Sequence, residues 1–184
     1  MGSSVSGPGS HAEGSPREVV FLREHDPAWL TIGARIVARL RPLLGERVVA
    51  VEHVGSTAVP GLAAKPIIDI AVGVVTKGPD LISLLESDGW IYVGERPDDD
   101  GGTLLVTETA PGHRTAHLHV VQHNGSEWRR YLIFRESLRR DPVLREAYAR
   151  LKLELAAVHP RDRAAYTEGK SEFVLGSTGI GYRQ

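Results

Sequence analysis

The chain has 184 residues, of which 41% are hydrophobic and 24% are charged, a composition that excludes a wholly disordered protein and fits one domain. Its formal net charge of −1 argues against a long nucleic acid or an anionic membrane surface as partner. The sequence contains no cysteine, which excludes disulfides, thiolate zinc sites and cysteine nucleophiles, and no apolar run approaches the length of a membrane span.

The predicted elements begin after a head rich in glycine, serine and proline. Residues 1–16 lack apolar periodicity, so we expect a disordered head followed by a single domain over 17–184. Asp26 and Pro27 are typical of a helix start, and the helix that follows carries an apolar stripe to Leu44. Strands are predicted between turn residues at 19–22, 48–54, 67–75, 90–93, 103–107 and 116–121.

Helices are predicted between and after these strands. Gly89 closes a short helix over 79–88, and the chain becomes helical in character from Ser126 onward. Asp141 and Pro142 begin a second helix in this tail, and a last helix is predicted over 161–175. The order predicts an α+β domain, loosely α/β, with a mixed sheet flanked by helices and a helical C-terminal tail.

The turn after the strand at 48–54 carries residues suited to phosphate chemistry. Gly55 lets a phosphate approach the backbone, and free amides with the hydroxyls of Ser56 and Thr57 can bind its oxygens. Asp69, near the start of the next strand, can hold a Mg²⁺ that bridges the phosphates, and Lys65 adds a cation at the rim. The alternative is a strand–turn–strand connection that contains a buried aspartate without a function.

His117 and His119 lie two residues apart on the last predicted strand, so their side chains share one face of it. Two imidazoles on one face are a common arrangement for a transition metal. They can equally contact phosphate or act as a general base, or they can be polar residues of a solvated face. Because the sequence spacing supplies no further ligand, these three interpretations stay open.

The helical tail carries basic and tyrosyl side chains that are spaced one helical turn apart. The pairs are Arg135 and Arg139, Tyr148 and Lys152, and Tyr166 and Lys170. Around a phosphate site, such residues would bind a triphosphate. The alternative is a charged exposed face whose apolar stems cover the surface.

The segment HVGSTAVPGLAAKPIIDI resembles the hallmark segment of the GrpB family, which also occurs fused to dephospho-CoA kinase. Its Gly-Ser pair, followed by an aspartate in an apolar strand, resembles the signature of the polymerase-β-like nucleotidyltransferase superfamily. Further segments similar to the family are HDPAW, HLHVV, FRESLR, YARLK and YTEGK. The resemblance covers residues 19–174, so the chain is identified from its sequence as a member of this family.

The resemblance implies a polymerase-β-type nucleotidyltransferase fold and an ATP-binding enzyme of the transferase type. Such an enzyme binds a nucleoside triphosphate with Mg²⁺ and transfers a nucleotidyl group to a small-molecule acceptor. The implied catalytic residues are Asp69, His119 and Glu52, and the implied metal ligands are Asp69, His117 and His119. The implied nucleotide- and phosphate-binding residues are Gly55, Ser56, Thr57, Lys65, Arg135, Lys152, Tyr166 and Lys170.

One position departs from the superfamily pattern, which has a second carboxylate two residues after the first, where this chain has Ala71. A two-metal clamp needs bridging ligands, so Glu52, His117 or His119 would have to replace it. A non-catalytic nucleotide- or phosphate-binding module therefore stays open, as does a same-fold enzyme with other chemistry, such as adenylation for ligation or phosphoryl transfer. In each case we expect a cytoplasmic protein with a small-molecule substrate, no long nucleic acid and no membrane.

Overall fold

A five-stranded mixed sheet organises the chain in the computed structural model, which describes residues 20–96 and 102–179. The strands are β1 (Ala50–Val54), β2 (Ile68–Val74), β3 (Ile91–Arg96), β4 (Gly102–Ala110) and β5 (His113–Gln122). They are ordered β1-β2-β5-β4-β3, with β2 and β5 parallel and all other neighbours antiparallel. The predicted disordered head lies outside the described residues.

Helices flank the sheet and form the C-terminal part of the described chain. They are α1 (Ala28–Leu44), α2 (Pro79–Ser87), α3 (Ser126–Arg140), α4 (Pro142–Val158), α5 (Arg163–Glu168) and α6 (Ser171–Thr178). The predicted start of α4 is confirmed, because Asp141 Oδ1 accepts hydrogen bonds from the amides of Val143 and Leu144. The predicted α+β class with a mixed sheet is confirmed as well. Among the helices within the described ranges, none combines the length and the apolarity that crossing a membrane requires.

The predicted strand over 19–22 is wrong for the residues that the structure describes. Residues 20–22 form no strand, and the amide of Val20 donates instead to the carbonyl of Pro160. The next residue along, Arg23, pairs with Ala64 in an isolated bridge. The segment is therefore held by single backbone contacts and not by a sheet ladder.

The single helix predicted over 161–175 is two short helices, α5 and α6. The break falls after α5, where Gly169 packs so closely on α4 that a Cβ atom would lie 2.5 Å from Leu155 Cδ2. Apolar periodicity continues across the break, which explains why the sequence pattern predicts one helix.

The two faces of the sheet have different neighbours. One face packs on α1 and α2 through a large apolar cluster that includes Leu40, Val51 and Ile70. The opposite face contacts α3 through a smaller cluster of Val54, Ala71, Val121 and Trp128. Because alternate strand residues point to opposite faces, Asp69 lies on the α3 side together with Ala71. The smaller apolar cluster leaves room for polar side chains at this end of β2 and β5.

Candidate functional site

Asp69 on β2 contacts two imidazoles on the neighbouring strand β5. The parallel register places Asp69 opposite His117 and Ala71 opposite His119. Asp69 Oδ1 lies 3.1 Å from His117 Nδ1 and 3.5 Å from His119 Nε2. One donor atom from each residue lies within 4.8 Å of the others. The structure thus brings together the three predicted metal ligands, which we call the His–Asp cluster.

The imidazoles of the His–Asp cluster do not lie on a solvated face, since the side chains of His117 and His119 are only 17% and 12% exposed. Burial alone would raise the pKa of Asp69, but hydrogen bonds from both imidazoles hold that pKa well below its usual range. The cluster therefore joins an ionised carboxylate to two imidazoles. Among the described residues, the buried Nε2 of His117 and Nδ1 of His119 have no hydrogen-bond partner.

The donor atoms of the His–Asp cluster favour a transition metal over the predicted Mg²⁺, since Asp69 is the one residue of the three that offers oxygen. Magnesium takes oxygen ligands in near-ideal octahedral geometry, whereas imidazole nitrogen suits zinc and other first-row transition metals. Two imidazoles and one carboxylate are a ligand set that such metals accept. The cluster can therefore hold a divalent transition metal.

Gly55 places the turn after β1 directly against the carboxylate of Asp69. Its φ is +71°, and a Cβ atom built on it would lie 2.4 Å from Asp69 Oδ2. Glycine is thus required both for the backbone conformation and for the close approach. Ser56 and Thr57 both line the cleft in front of the carboxylate. The buried Thr57 also hydrogen-bonds His53 Nε2 at 3.0 Å and so supports the turn.

A cleft of about 370 Å³ opens in front of the His–Asp cluster, and cationic side chains line it. Lys65 Nζ and Lys170 Nζ each lie 4.4 Å from the centre of the Tyr166 ring. The lysines and arginines in the lining are Lys65, Arg96, Arg114, Lys152, Arg163 and Lys170. Among the described lining residues, Asp69 is the one carboxylate. This excess of cations suits a polyanionic ligand, and we call the cavity the cationic cleft.

Lys152 reaches the cationic cleft from α4 and is almost completely buried. Its Nζ donates hydrogen bonds to the carbonyl of Ala63 and to Ser56 Oγ, the latter at 3.3 Å. Burial, together with the smaller effect of the charge on nearby Lys170, lowers the pKa of Lys152 to about 7. Burial also lowers the pKa of Lys170 to about 8, although the charge of Asp69 opposes this shift. Lys152 thus ties α4 to the turn that follows β1.

We expect the wild-type protein to gain stability relative to Lys152→Met as the pH rises above 7. Between pH 7 and about 10.5, Lys152 is neutral in the folded protein and charged in the unfolded chain. The unfolded chain then binds the additional proton, so the free energy of unfolding rises by up to about 1.4 kcal/mol per pH unit. Urea titrations of both proteins from pH 6 to 9 measure this difference. Parallel pH profiles would show that Lys152 does not titrate in this window.

Two predicted site residues, Glu52 and Arg135, lie outside the cationic cleft. Arg135 Nη1 donates to Glu52 Oε2 at 3.0 Å and to the carbonyl of His53 at 2.7 Å. Arg41 lies 3.8 Å from the other oxygen of Glu52. These charges neutralise one another and hold α3 against β1, so the structure gives them a supporting position instead of the predicted catalytic and phosphate-binding positions. Arg139 likewise donates to the carbonyl of Ala58.

Sequence reasoning missed three arginines and one tyrosine of the cationic cleft. Arg96 ends β3, Arg114 is the second residue of β5, and Arg163 begins α5, so none lies in the motif segments. Tyr131 lies on α3, with its ring centre 5.2 Å from that of His119. Only the tertiary arrangement brings these residues together, and no local spacing in the sequence indicates it.

Comparison with known proteins gives a consistent family match. The family model described as GrpB protein matches residues 19–178. The glutamate-rich protein GrpB of Alkalihalophilus pseudofirmus is 33% identical over 160 residues, which are 84% of this chain and 91% of that protein. The crystal structure of conserved protein GrpB from Enterococcus faecalis has a TM-score of 0.73 and 34% identity. That similarity covers 86% of this chain and 95% of the other.

Other relatives are longer than the shared region. A UPF0157 protein from Pseudomonas aeruginosa is 41% identical over 153 residues, 81% of this chain but 62% of that protein. The chain thus spans less than two thirds of that relative. A dephospho-CoA kinase from Mycolicibacterium paratuberculosis is 48% identical over 61 residues, which are 32% of this chain and 15% of the kinase. The similarity to this kinase is therefore confined to one segment.

Proposed function

The chain belongs to the GrpB family, and from the geometry of its cleft we propose that it is a metal-dependent enzyme of the transferase type. It binds a nucleoside triphosphate and transfers a nucleotidyl group to a small-molecule acceptor. The observation that carries the proposal is the contact of Gly55 with Asp69, which sets the phosphate-binding turn against the His–Asp cluster. A metal ligand and a phosphate-binding loop are thereby within the reach of one phosphate group.

The His–Asp cluster is the proposed metal site. Asp69, His117 and His119 would hold a divalent transition metal such as Mn²⁺ or Zn²⁺, in place of the Mg²⁺ that the resemblance implies. When bound, such a metal supplies Lewis-acid polarisation of a phosphoryl oxygen. In the parallel register His119 lies beside Ala71, so an imidazole takes the place of the missing second carboxylate.

The cationic cleft is the proposed site of the triphosphate. The cleft is lined by Ser56 and by the lysines at positions 65, 152 and 170. Arg114 also lines it, from β5, the strand that carries the two histidines. Arginines bind phosphate oxygens with two parallel hydrogen bonds, while lysines act as point charges. These side chains hold the phosphates against the metal and stabilise the negative charge of a departing pyrophosphate.

A nucleotide-binding module without catalysis is the second candidate function, and Ala71 favours it. Ala71 is fully buried in the apolar cluster with Val54, Val121 and Trp128 and offers no oxygen ligand to a metal. A site with one carboxylate carries less negative charge than the superfamily pattern with two. Release of pyrophosphate from ATP in the presence of an acceptor distinguishes the enzyme from the module.

We expect nucleotide binding to require both the transition metal and the His–Asp cluster. A ligand at a hundred times its Kd stabilises the folded protein by about 2.7 kcal/mol. Thermal unfolding with ATP should therefore shift upward in the presence of Mn²⁺ and remain unchanged in the presence of a chelator. His119→Ala should lose this shift, because one metal ligand is removed.

The matched control is His113→Ala, on the same strand but exposed to solvent. This variant should keep the full shift caused by ATP and Mn²⁺. An equal shift in the chelator, or an undiminished shift in His119→Ala, would contradict the proposed metal-dependent site.

A further inference from the structure

A second cavity of about 230 Å³ adjoins the cationic cleft where Gly55, Ser56 and Asp69 line both spaces. Its other walls come from the C-terminal part of the chain and combine aromatic and apolar side chains with polar ones. The aromatic and apolar residues are Tyr131 and Phe134 of α3, Tyr148 of α4 and Val174 of α6, and the polar residues are Arg130, Thr167, Lys170 and Ser171. We call this cavity the aromatic chamber.

The aromatic rings of the chamber are held in place by one another. The Phe134 and Tyr148 rings meet edge to face, with centres 5.0 Å apart and planes at 86°. Tyr148 also stacks on Phe173 at 5.1 Å and is buried. A ring restrained on two sides keeps its orientation without a ligand, so the chamber offers a preformed surface for a flat group.

The lining of the aromatic chamber differs in chemistry from that of the cationic cleft. Among the described residues that line it, Asp69 is the one carboxylate, and no imidazole lines it. His117 and His119 line the cationic cleft alone. The chamber therefore lacks groups of its own that accept a proton from an acceptor hydroxyl, and it suits a part of the ligand that does not react.

The size and position of the chamber also limit its ligand. A cavity of about 150 Å³ is sufficient for benzene, so the chamber has room for a ring of nucleobase size. Because Asp69 and Lys170 line both cavities, a single molecule with an anionic end and a flat ring can occupy both.

We infer that the aromatic chamber binds the nucleobase of the nucleotide whose phosphates occupy the cationic cleft. The inference rests on the proposed function and extends it to the part of the ligand that the metal and the lysines do not contact. Aromatic side chains bind the π-face of a base through stacking, which tolerates different bases. We therefore expect a preference for nucleotides over inorganic polyphosphate but little preference among the bases.

The test compares the affinities of ATP and inorganic tripolyphosphate, measured by calorimetry with Mn²⁺ present. Wild-type protein should bind ATP more tightly than tripolyphosphate. Phe134→Ala should weaken ATP binding about tenfold or more through lost stacking, and it should leave tripolyphosphate binding unchanged. Val174→Phe fills the chamber without removing a core side chain and should have the same effect. Ile133→Ala, on the outer surface of α3, should change neither affinity.

The outcomes separate this inference from the function on which it rests. If tripolyphosphate and ATP bind wild-type protein equally well, or if both chamber variants leave ATP affinity unchanged, the chamber does not hold the base and the inference is wrong. If neither ligand binds wild-type protein, the proposed nucleotide site fails as well.

Discussion

We expect Asp69→Asn to abolish metal binding and to destabilise the folded protein by about 1–3 kcal/mol without preventing folding. A neutral amide is a weak ligand for a divalent cation, so the site loses its anionic donor. The stability falls because Asp69 accepts hydrogen bonds from His117 and His119 as an ionised carboxylate, and the amide loses the charge that strengthens them. Calorimetric titration with Zn²⁺ measures the loss of metal binding, and urea unfolding in a chelator measures the loss of stability.

The matched control for this variant is Asp80→Asn. Asp80 is an exposed aspartate whose Oδ2 lies 2.8 Å from Arg47 Nε. Neither residue of this pair lines the cationic cleft. Its loss should leave the free energy of unfolding and the metal affinity close to those of the wild-type protein, because an exposed ion pair contributes little. A fully folded Asp69→Asn protein with wild-type Zn²⁺ affinity would show that this carboxylate is not a metal ligand.

We expect Gly55→Ala to cause a larger loss of stability than backbone strain alone and to disrupt the His–Asp cluster. A side chain at φ +71° costs about 1–3 kcal/mol of strain. The new Cβ atom would also overlap Asp69 Oδ2 at 2.4 Å, so either the turn or the carboxylate must move. The free energy of unfolding and the metal affinity should therefore both fall.

Gly45→Ala separates strain from overlap, because Gly45 also has a positive φ of +53° but would meet no atom within 4 Å. It should cost about 1–3 kcal/mol and leave metal affinity intact. In an Asp69→Ala background, the cost of Gly55→Ala should fall, because the nearest overlapping atom, Asp69 Oδ2, is gone and only the Cβ of residue 69 remains, at 2.9 Å. A cost of Gly55→Ala that is unchanged in this background would show that the turn and the carboxylate are not in contact.

Local sequence patterns predict the positions of most strands and helices, except where tertiary contacts determine where an element begins or ends. Apolar runs between turn residues predict β1, β2 and β5 to within two or three residues, and the Asp-Pro pair at 141 predicts the start of α4. The division of the last helix depends on the packing of Gly169 against Leu155. This contact joins residues on two different helices, so the apolar periodicity of the last segment does not indicate it.

The proposed metal site could be predicted from the sequence in its composition but not in its geometry. Asp69 and the two histidines lie on apolar strands with recognisable spacing, but strand register is a tertiary property. Only the pairing of Asp69 with His117 shows that both imidazoles face the carboxylate and not solvent. The identity of the donor atoms then favours a transition metal over the Mg²⁺ that the resemblance implies.

Charged residues near a motif were the least predictable part of the site. Glu52 and Arg135 belong to motif segments, yet they pair with each other outside the cleft. Arg96 and Arg114 belong to none and line it. A charged side chain can form an ion pair with any opposite charge that the fold brings near. The local sequence therefore does not determine its partner.

The central claim is that Asp69, His117 and His119 hold a transition metal beside the phosphate-binding turn. Its most direct test is a calorimetric titration of chelator-treated protein with Zn²⁺ and, separately, with Mg²⁺. The account predicts that a single Zn²⁺ binds much more tightly than Mg²⁺, and that His117→Ala loses this binding while His113→Ala retains it. Equal affinities for the two ions, or undiminished Zn²⁺ binding by folded His117→Ala, would contradict it.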